Sequence, residues 1–226
     1  IMNKKDISLI IDFDDTLVEE NAARVVLNRF SPNEYEKISN QYKYKEISFK
    51  IYQEKSFEKS LENTSFEELE NYSRNNVKVR EGFSDLYKYC TTNKIKITIL
   101  SSGLKNYIQP VVENFTSLEI IAADMKRDKS NNLEFDYSKS FKKSCSMQWG
   151  ICKCETVEKK MKDNFVIYVG DGVTTDLCAS QKCDKIFALN PLYNRCLEEN
   201  ISATKFNSFK KIMEYINKLK GSYIDS

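Results

Sequence analysis

Hydrophobic positions along this chain fall into two alternating patterns. Short β-branched runs at 7–13, 95–100 (Ile-Lys-Ile-Thr-Ile-Leu), 118–123, 165–169 (Phe-Val-Ile-Tyr-Val) and 185–189 have the length and composition of buried strands. Between or after them, apolar residues recur at three-and-four spacing, which predicts helices near 82–92, 104–115, 154–162, 175–181 and 207–219. The last is the clearest, with Phe206, Phe209, Ile212, Met213, Ile216 and Leu219 on one stripe. Strands that alternate with helices predict an α/β fold in which a parallel sheet is covered on both faces.

Residues 19–78 interrupt the alternation. The segment is polar, rich in Glu, Lys, Asn, Tyr and Phe, and offers no strand; helix-start signals stand at Ser31-Pro32 and at Thr64-Ser65-Phe66-Glu67. It reads as a helical insertion large enough to cover the strand tips. A second irregular stretch, 124–143, places Asn131-Asn132 between short extended runs and predicts a hairpin.

At 226 residues the chain suits one domain carrying such an insertion. Its 35 Lys+Arg against 33 Asp+Glu leave a net charge of +2, with the basic residues scattered, so neither composition nor clustering points to nucleic acid. No apolar run reaches the roughly 20 residues of a membrane span, and no signal peptide is visible; Ile1 ahead of Met2 reads as a processed or appended start. The seven cysteines lack the spacing of a disulfide framework. Cys145, Cys152 and Cys154 lack a CxxC pair and a fourth ligand, so reduced cytosolic thiols are the simpler reading than zinc. Histidine is absent altogether, which removes Ser-His-Asp hydrolases, phosphohistidine phosphatases and His-ligated zinc enzymes. No cysteine is followed at the sixth position by arginine, so the thiol-phosphatase pattern is missing too. Carboxylate chemistry remains.

The first predicted strand runs into Asp12, Asp14 and Asp15. Asp12 and Asp14, two apart on an extended chain, face the same side, where their repulsion is relieved by a small hard cation such as Mg²⁺. The second strand ends in Ser101-Ser102-Gly103 before a helix, a place where backbone N–H groups and a hydroxyl can meet phosphate oxygens, or where a hydroxyl merely caps the helix. A third strand ends in Gly170-Asp171-Gly172, with Asp171 placed as a further metal ligand and Asp176 behind it. A lysine would neutralise the phosphate, and spacing alone does not choose among Lys142, Lys143 and Lys153.

Asp12-x-Asp14-x-Thr16-Leu17, Ser101, a later lysine, and Gly170-Asp171 followed by Asp176 resemble the four motifs of the haloacid dehalogenase (HAD) superfamily, in order and spacing over nearly the whole chain. The resemblance implies a Rossmann-like core of residues 1–18 and 79–226 with strand order 5-4-1-2-3. It also implies a small helical C1-type cap, 19–78, inserted after the first strand as in the phosphoserine-phosphatase-like branch. Gly150-x-Cys152-Lys153 and Val169-Gly170-Asp171-Gly172 look most like the diketo-methylthiopentyl phosphate and the phosphoethanolamine/phosphocholine phosphatases, and this likeness selects Lys153. One departure is that Thr174-Thr175 lengthens the last loop by a residue, which weakens the carry-over to Asp176.

By resemblance, the activity implied is a Mg²⁺-dependent phosphomonoesterase acting on a small metabolite. Asp12 is then the nucleophile and Asp14 the acid/base. The metal is held by Asp12, the Asp14 carbonyl and Asp171, the phosphate by Ser101, Ser102, Gly103 and Lys153, and Thr16 orients the first loop. Dehalogenases lack an acid at the Asp14 position, which favours phosphate transfer. A mutase-type phosphotransferase and an inactive phosphate-binding module are the alternatives. Phosphoserine is disfavoured because the glutamate that meets its amino group is replaced by Asn21, with Glu20 one residue earlier. Glu20 and Asn21 point instead to a cationic head group, caged by Tyr35, Tyr42, Tyr44, Phe49, Tyr52 and Phe57 unless, as the simpler expectation has it, these rings only pack the cap.

Overall fold

The computed structural model describes residues 6–137 and 151–222. The first strand, β1 (Asp6–Ile11), is followed by a wide helical turn (Phe13–Leu17), and four helices then fill the insertion: α1 (Ala22–Phe30), α2 (Pro32–Lys43), α3 (Phe49–Leu61) and α4 (Phe66–Asn76). The chain continues through α5 (Phe83–Thr92), β2 (Lys96–Leu104), α6 (Lys105–Val112), β3 (Glu119–Arg127) and β4 (Leu133–Asp136). The second half runs α7 (Lys153–Met161), β5 (Asn164–Gly170), α8 (Leu177–Ser180), β6 (Lys185–Ala188), α9 (Leu192–Glu198), β7 (Thr204–Lys205) and α10 (Phe209–Ser222).

Among the described residues the sheet has seven strands in the order β4-β3-β2-β1-β5-β6-β7. The five predicted strands occupy its centre in the expected order, all parallel, with β1 between β2 and β5. The difference lies at the edges. Two-residue β7 adds a parallel edge that its length hid from the sequence, and β4 adds an antiparallel one. The predicted hairpin is the β3–β4 pair: Asp128 accepts the N–H groups of Ser130 and Asn132, and Asn131 adopts φ 66°, a conformation asparagine tolerates well. The hairpin reading beyond 137 lies outside the described residues.

Alternation along the central strands divides the core. Leu9, Ile11, Ile97, Ile99, Ile167 and Val169 face one side, against Phe83, Phe209, Ile212 and Ile216 of α5 and α10. Ile10, Leu100, Val166 and Tyr168 face the other, under Val157 of α7 and Ala179 of α8. β1 is thus buried on both faces, as a central parallel strand must be.

The insertion's helices start where local chemistry allows. Asn21 accepts from the Arg24 N–H to cap α1, and Ser65 with Glu68 forms a reciprocal capping box on α4. Ser31 precedes α2 but uses its hydroxyl otherwise, on the Leu27 carbonyl and Ser60. Val26, Leu27, Phe57 and Leu69 of the insertion belong to the same apolar cluster as Leu9 and Ile11. The two crossing segments pair antiparallel at Val18 and Val79, where Glu19 donates to the Lys78 carbonyl and Arg80 to that of Leu17. No helix among the described residues is long and apolar enough to cross a membrane.

Candidate active site

β1 delivers Asp12 to the end of the sheet, with its N–H on the Val169 carbonyl of β5 at 2.9 Å and its side chain buried, the residue being 6% exposed. The chain then turns widely, anchored by buried Phe13 and Leu17, with Asp15 at φ 57°. The turn carries Asp14 away from the sheet toward the insertion. There its Oδ1 accepts the Ala22 N–H at 2.7 Å, at the start of α1, and its Oδ2 accepts the Tyr107 hydroxyl of α6 at 3.2 Å. Burial raises the Asp14 carboxyl to about 6, against the pull of those two donors. Arg80 steadies the turn by donating to the carbonyls of Asp15, Thr16 and Val18.

From the other side of β1, β5 ends in Gly170 and delivers Asp171, whose Oδ1 accepts the Thr16 hydroxyl at 3.0 Å. Asp176 lies behind it, fully buried. Its Oδ1 receives Lys153 at 2.5 Å and the Tyr168 hydroxyl at 2.9 Å, and its Oδ2 receives the N–H groups of Asp171 and Gly172. The longer loop is absorbed in a turn closed by the Asp176 N–H on the Gly172 carbonyl. The loop also hugs Asp176 closely, since a Cβ on Gly170 would stand 2.6 Å from its Oδ2.

Lys153, the first residue of α7 and 4% exposed, joins the two halves by bonding Asp12 Oδ1 and Asp176 Oδ1, each at 2.5 Å. Burial pulls its pKa down, but the two carboxylates outweigh that and hold it above the ordinary lysine value. One ammonium does not balance three acids. Asp12 is raised well above the usual carboxylate range, and Asp171 to about 7, in both cases by burial first and the neighbouring Asp176 charge next. Oxygens of Asp12, Asp171 and Asp176 lie within 4.8 Å of one another. Protein donors already occupy both oxygens of Asp176, whereas Asp12 and Asp171 are each bonded through Oδ1. This excess of buried negative charge, built from hard oxygen donors, fits a divalent cation.

The cradle comes from the end of β2, which runs four residues beyond its predicted limit and leaves Ser101-Ser102-Gly103 extended rather than capping α6. Ser101 Oγ accepts the Gly103 N–H at 3.0 Å, while Ser102 Oγ is buried and meets no partner among the described residues. Such an orphaned hydroxyl suits an anion that brings its own acceptors.

Asp12, Asp14, Ser101, Ser102, Gly103, Lys153 and Asp171 all line one cavity of about 190 Å³. Thr16 and Asp176 stand behind that wall. Asn21 also lines it, as does Asp15, whereas Glu20 is exposed and outside it. The chain turns at Glu20 to let Asn21 cap α1, which leaves the glutamate on the outer side. The aromatic cage is likewise mostly packing. Tyr42 stacks on Tyr52 at 4.8 Å, Tyr35 and Phe49 lean on the same rings, and Tyr44 is 70% exposed. Phe49, Tyr52 and Phe57 do reach the cavity wall.

Two polar wall residues were absent from the sequence reading, besides apolar Ala23 and Leu27. Tyr107 stacks flat on Phe57 at 5.8 Å while its hydroxyl meets Asp14. Gln53 of α3, buried, donates from Nε2 to the Ser102 carbonyl at 3.1 Å and accepts the Tyr137 hydroxyl on Oε1 at 3.1 Å. Neither carries a motif; both are contacts between segments far apart in sequence.

Comparisons with known proteins agree with this geometry. The family described as "Putative Phosphatase" matches residues 7–214. A 2-hydroxy-3-keto-5-methylthiopentenyl-1-phosphate phosphatase of Bacillus cereus is 24% identical over 216 residues, covering 95% of this chain and 98% of that one. A phosphoserine phosphohydrolase-like protein from Francisella tularensis superposes with TM-score 0.57 at 24% identity, covering 90% of this chain and 96% of that one. A phospho-aspartyl intermediate analogue of phosphoserine phosphatase superposes with TM-score 0.63 at 19% identity over 94% of this chain and 99% of that one. The chain therefore belongs to the "Putative Phosphatase" family and is a phosphoric monoester hydrolase of the HAD superfamily.

Proposed function

We propose that this chain hydrolyses a small phosphate monoester with an uncharged organic group in two steps through a phosphorylated Asp12, with Mg²⁺ as cofactor and residues 19–78 as a cap over the site. The observation that carries the reading is the meeting of Asp12, Asp171 and Lys153 beside the Ser101–Gly103 cradle on one cavity wall. The cation would be held by Asp12, Asp171 and the Asp14 carbonyl, and when bound it offsets repulsion between carboxylate and phosphate dianion.

In the first step an Asp12 oxygen attacks phosphorus, the P–O bond to the leaving group breaks, and Asp14 gives that oxygen its proton. A carboxyl raised to about 6 is suited to holding this proton near neutrality. In the second step Asp14 takes a proton from water, which attacks phosphorus and frees Asp12 and inorganic phosphate. Lys153, Ser102 and nearby backbone N–H groups stabilise the phosphoryl oxygens, where one such donor is worth roughly 3 kcal/mol. Asp176 keeps Lys153 and the Asp171 loop in place.

The leaving group meets Asn21, Leu27, Phe49, Tyr52, Gln53 and Phe57, six residues that carry amides, a hydroxyl and apolar surface but no charge, with Asp15 the one further acid on the cavity wall besides those placed at the phosphate. This favours a neutral organic group with hydroxyl or carbonyl functions, in keeping with the substrate named for the Bacillus cereus relative.

Purified protein with Mg²⁺, assayed for phosphate release from a panel of small phosphate esters, tests the reading. Neutral esters should be turned over ahead of aminated ones, and Asp12→Asn should abolish turnover while keeping the fold. Activity of Asp12→Asn within tenfold of the parent would remove Asp12 as nucleophile.

A further inference from the structure

We infer that Cys154 and Cys178 form a dithiol site that a low-molecular-weight disulfide oxidises to an intramolecular disulfide, and that closing it lowers phosphate-ester turnover. The second half of this inference rests on the role proposed above for Lys153.

Cys154 is the second residue of α7 and Cys178 the second of α8, and their sulfurs are already in contact at 2.7 Å. Both are half-buried, so a small reagent reaches them. The other described cysteines are placed differently: Cys90, Cys152 and Cys196 are buried, and Cys183 directs its sulfur to the carbonyls of Ser180 and Lys185.

One thiolate attacks the reagent's S–S bond, forming a mixed disulfide and releasing one reagent thiol. The second cysteine then attacks the mixed disulfide and releases the other. Two electrons pass from the cysteine pair to the reagent, and the two cysteine protons leave with the two reagent thiols.

The site is joined to the active centre by the chain itself. Lys153 directly precedes Cys154, and Asp176 stands two residues before Cys178; these are the two groups joined at 2.5 Å behind Asp12. Drawing the first turns of α7 and α8 together shifts the Lys153 ammonium against its carboxylates. Displacing a positioned group by about 1 Å can cost on the order of 100-fold in rate, and closing sulfurs 2.7 Å apart to the roughly 2.05 Å of a disulfide moves these turns by a fraction of that.

The full chain and its Cys154→Ser and Cys178→Ser variants, treated with oxidised glutathione and freed of excess, test this. Peptide mapping should show a Cys154–Cys178 cross-link with a mass loss of about 2 Da, and kcat on p-nitrophenyl phosphate should fall about tenfold or more, restored by dithiothreitol. Both serine variants should keep the reduced protein's turnover and show no fall on oxidation. Glutathione adducts without the cross-link, a cross-link with unchanged kcat, or an equal fall in the serine variants would each overturn the inference. A protein that forms the cross-link yet hydrolyses nothing in either state sinks the phosphatase mechanism and leaves the dithiol site standing.

Discussion

Gly103→Ala is the sharpest single probe of how the cradle and the acid are built together. A Cβ at position 103 would fall 1.8 Å from the Tyr107 hydroxyl oxygen, 2.7 Å from its Cζ and 3.2 Å from Ser101 Oγ. The backbone there does not need glycine, since Gly82 is the one glycine with positive φ among the described residues. The conflict is therefore with the phenol, which cannot easily move: it is 1% exposed and stacked on Phe57. Overpacking of this kind costs about 1–3 kcal/mol. Displacing the phenol also breaks its bond to Asp14, worth about 1.5–3 kcal/mol for a charged acceptor. Reduced freedom in the unfolded chain returns about 0.4–1 kcal/mol. A net loss of about 2–5 kcal/mol follows from those terms, together with a fall in kcat as Asp14 loses a donor.

Urea denaturation and steady-state kinetics on Gly103→Ala, Tyr107→Phe and the double variant measure this. Removing the hydroxyl leaves Cζ at 2.7 Å as the nearest obstacle, so the alanine should cost roughly half as much in the Tyr107→Phe background, a coupling of about 1 kcal/mol. Additivity within about 0.5 kcal/mol, or a Gly103→Ala protein as stable and active as the parent, would refute the claim that the phenol dictates the glycine.

Other expectations follow from the same geometry. Asp176→Asn removes a fully buried partner of Lys153 and should destabilise the fold by about 3–5 kcal/mol, read by urea denaturation; a loss under about 1 kcal/mol would show that the carboxylate is not what fixes the lysine. Saturating Mg²⁺, at about 100 times its Kd, should stabilise the protein by about 2.7 kcal/mol and raise Tm by several degrees, and Asp171→Asn should remove the shift; an equal shift in that variant would place the ion elsewhere. Glu20→Gln should leave the preference between aminated and neutral esters unchanged, and any reversal on the substrate panel would restore Glu20 to the site.

Strand runs and strand-tip residues were legible in the sequence because they are local. The five central strands announce themselves through β-branched runs, and Asp12, Ser101 and Asp171 stand where parallel strands end, so a correct sheet order brings them together. Contacts across the insertion were not legible. The Tyr107–Asp14 bond spans 93 residues and the Gln53–Ser102 bond 49, and nothing in either neighbourhood distinguishes those side chains from surface or core. The same holds for Glu20 and Asn21: adjacent in sequence, they part because one caps a helix and the other stays outside. The extension of β2 through Gly103 was hidden by its small residues, which read equally as a strand end or a cap.

The antiparallel contact of Val18 with Val79 has a consequence for how this protein can be changed. Because the chain leaves and rejoins the sheet at neighbouring points, a segment of different length can span those valines without rerouting the strands. A graft must supply a surface for Tyr107 in place of Phe57, an apolar face in place of Val26, Leu27 and Leu69, and donors to Asp14 and the Ser102 carbonyl in place of Ala22 and Gln53, and leave Arg80 its three carbonyls. New substrate ranges are thus open to recombination at two adjacent valines, with the acids of the sheet untouched.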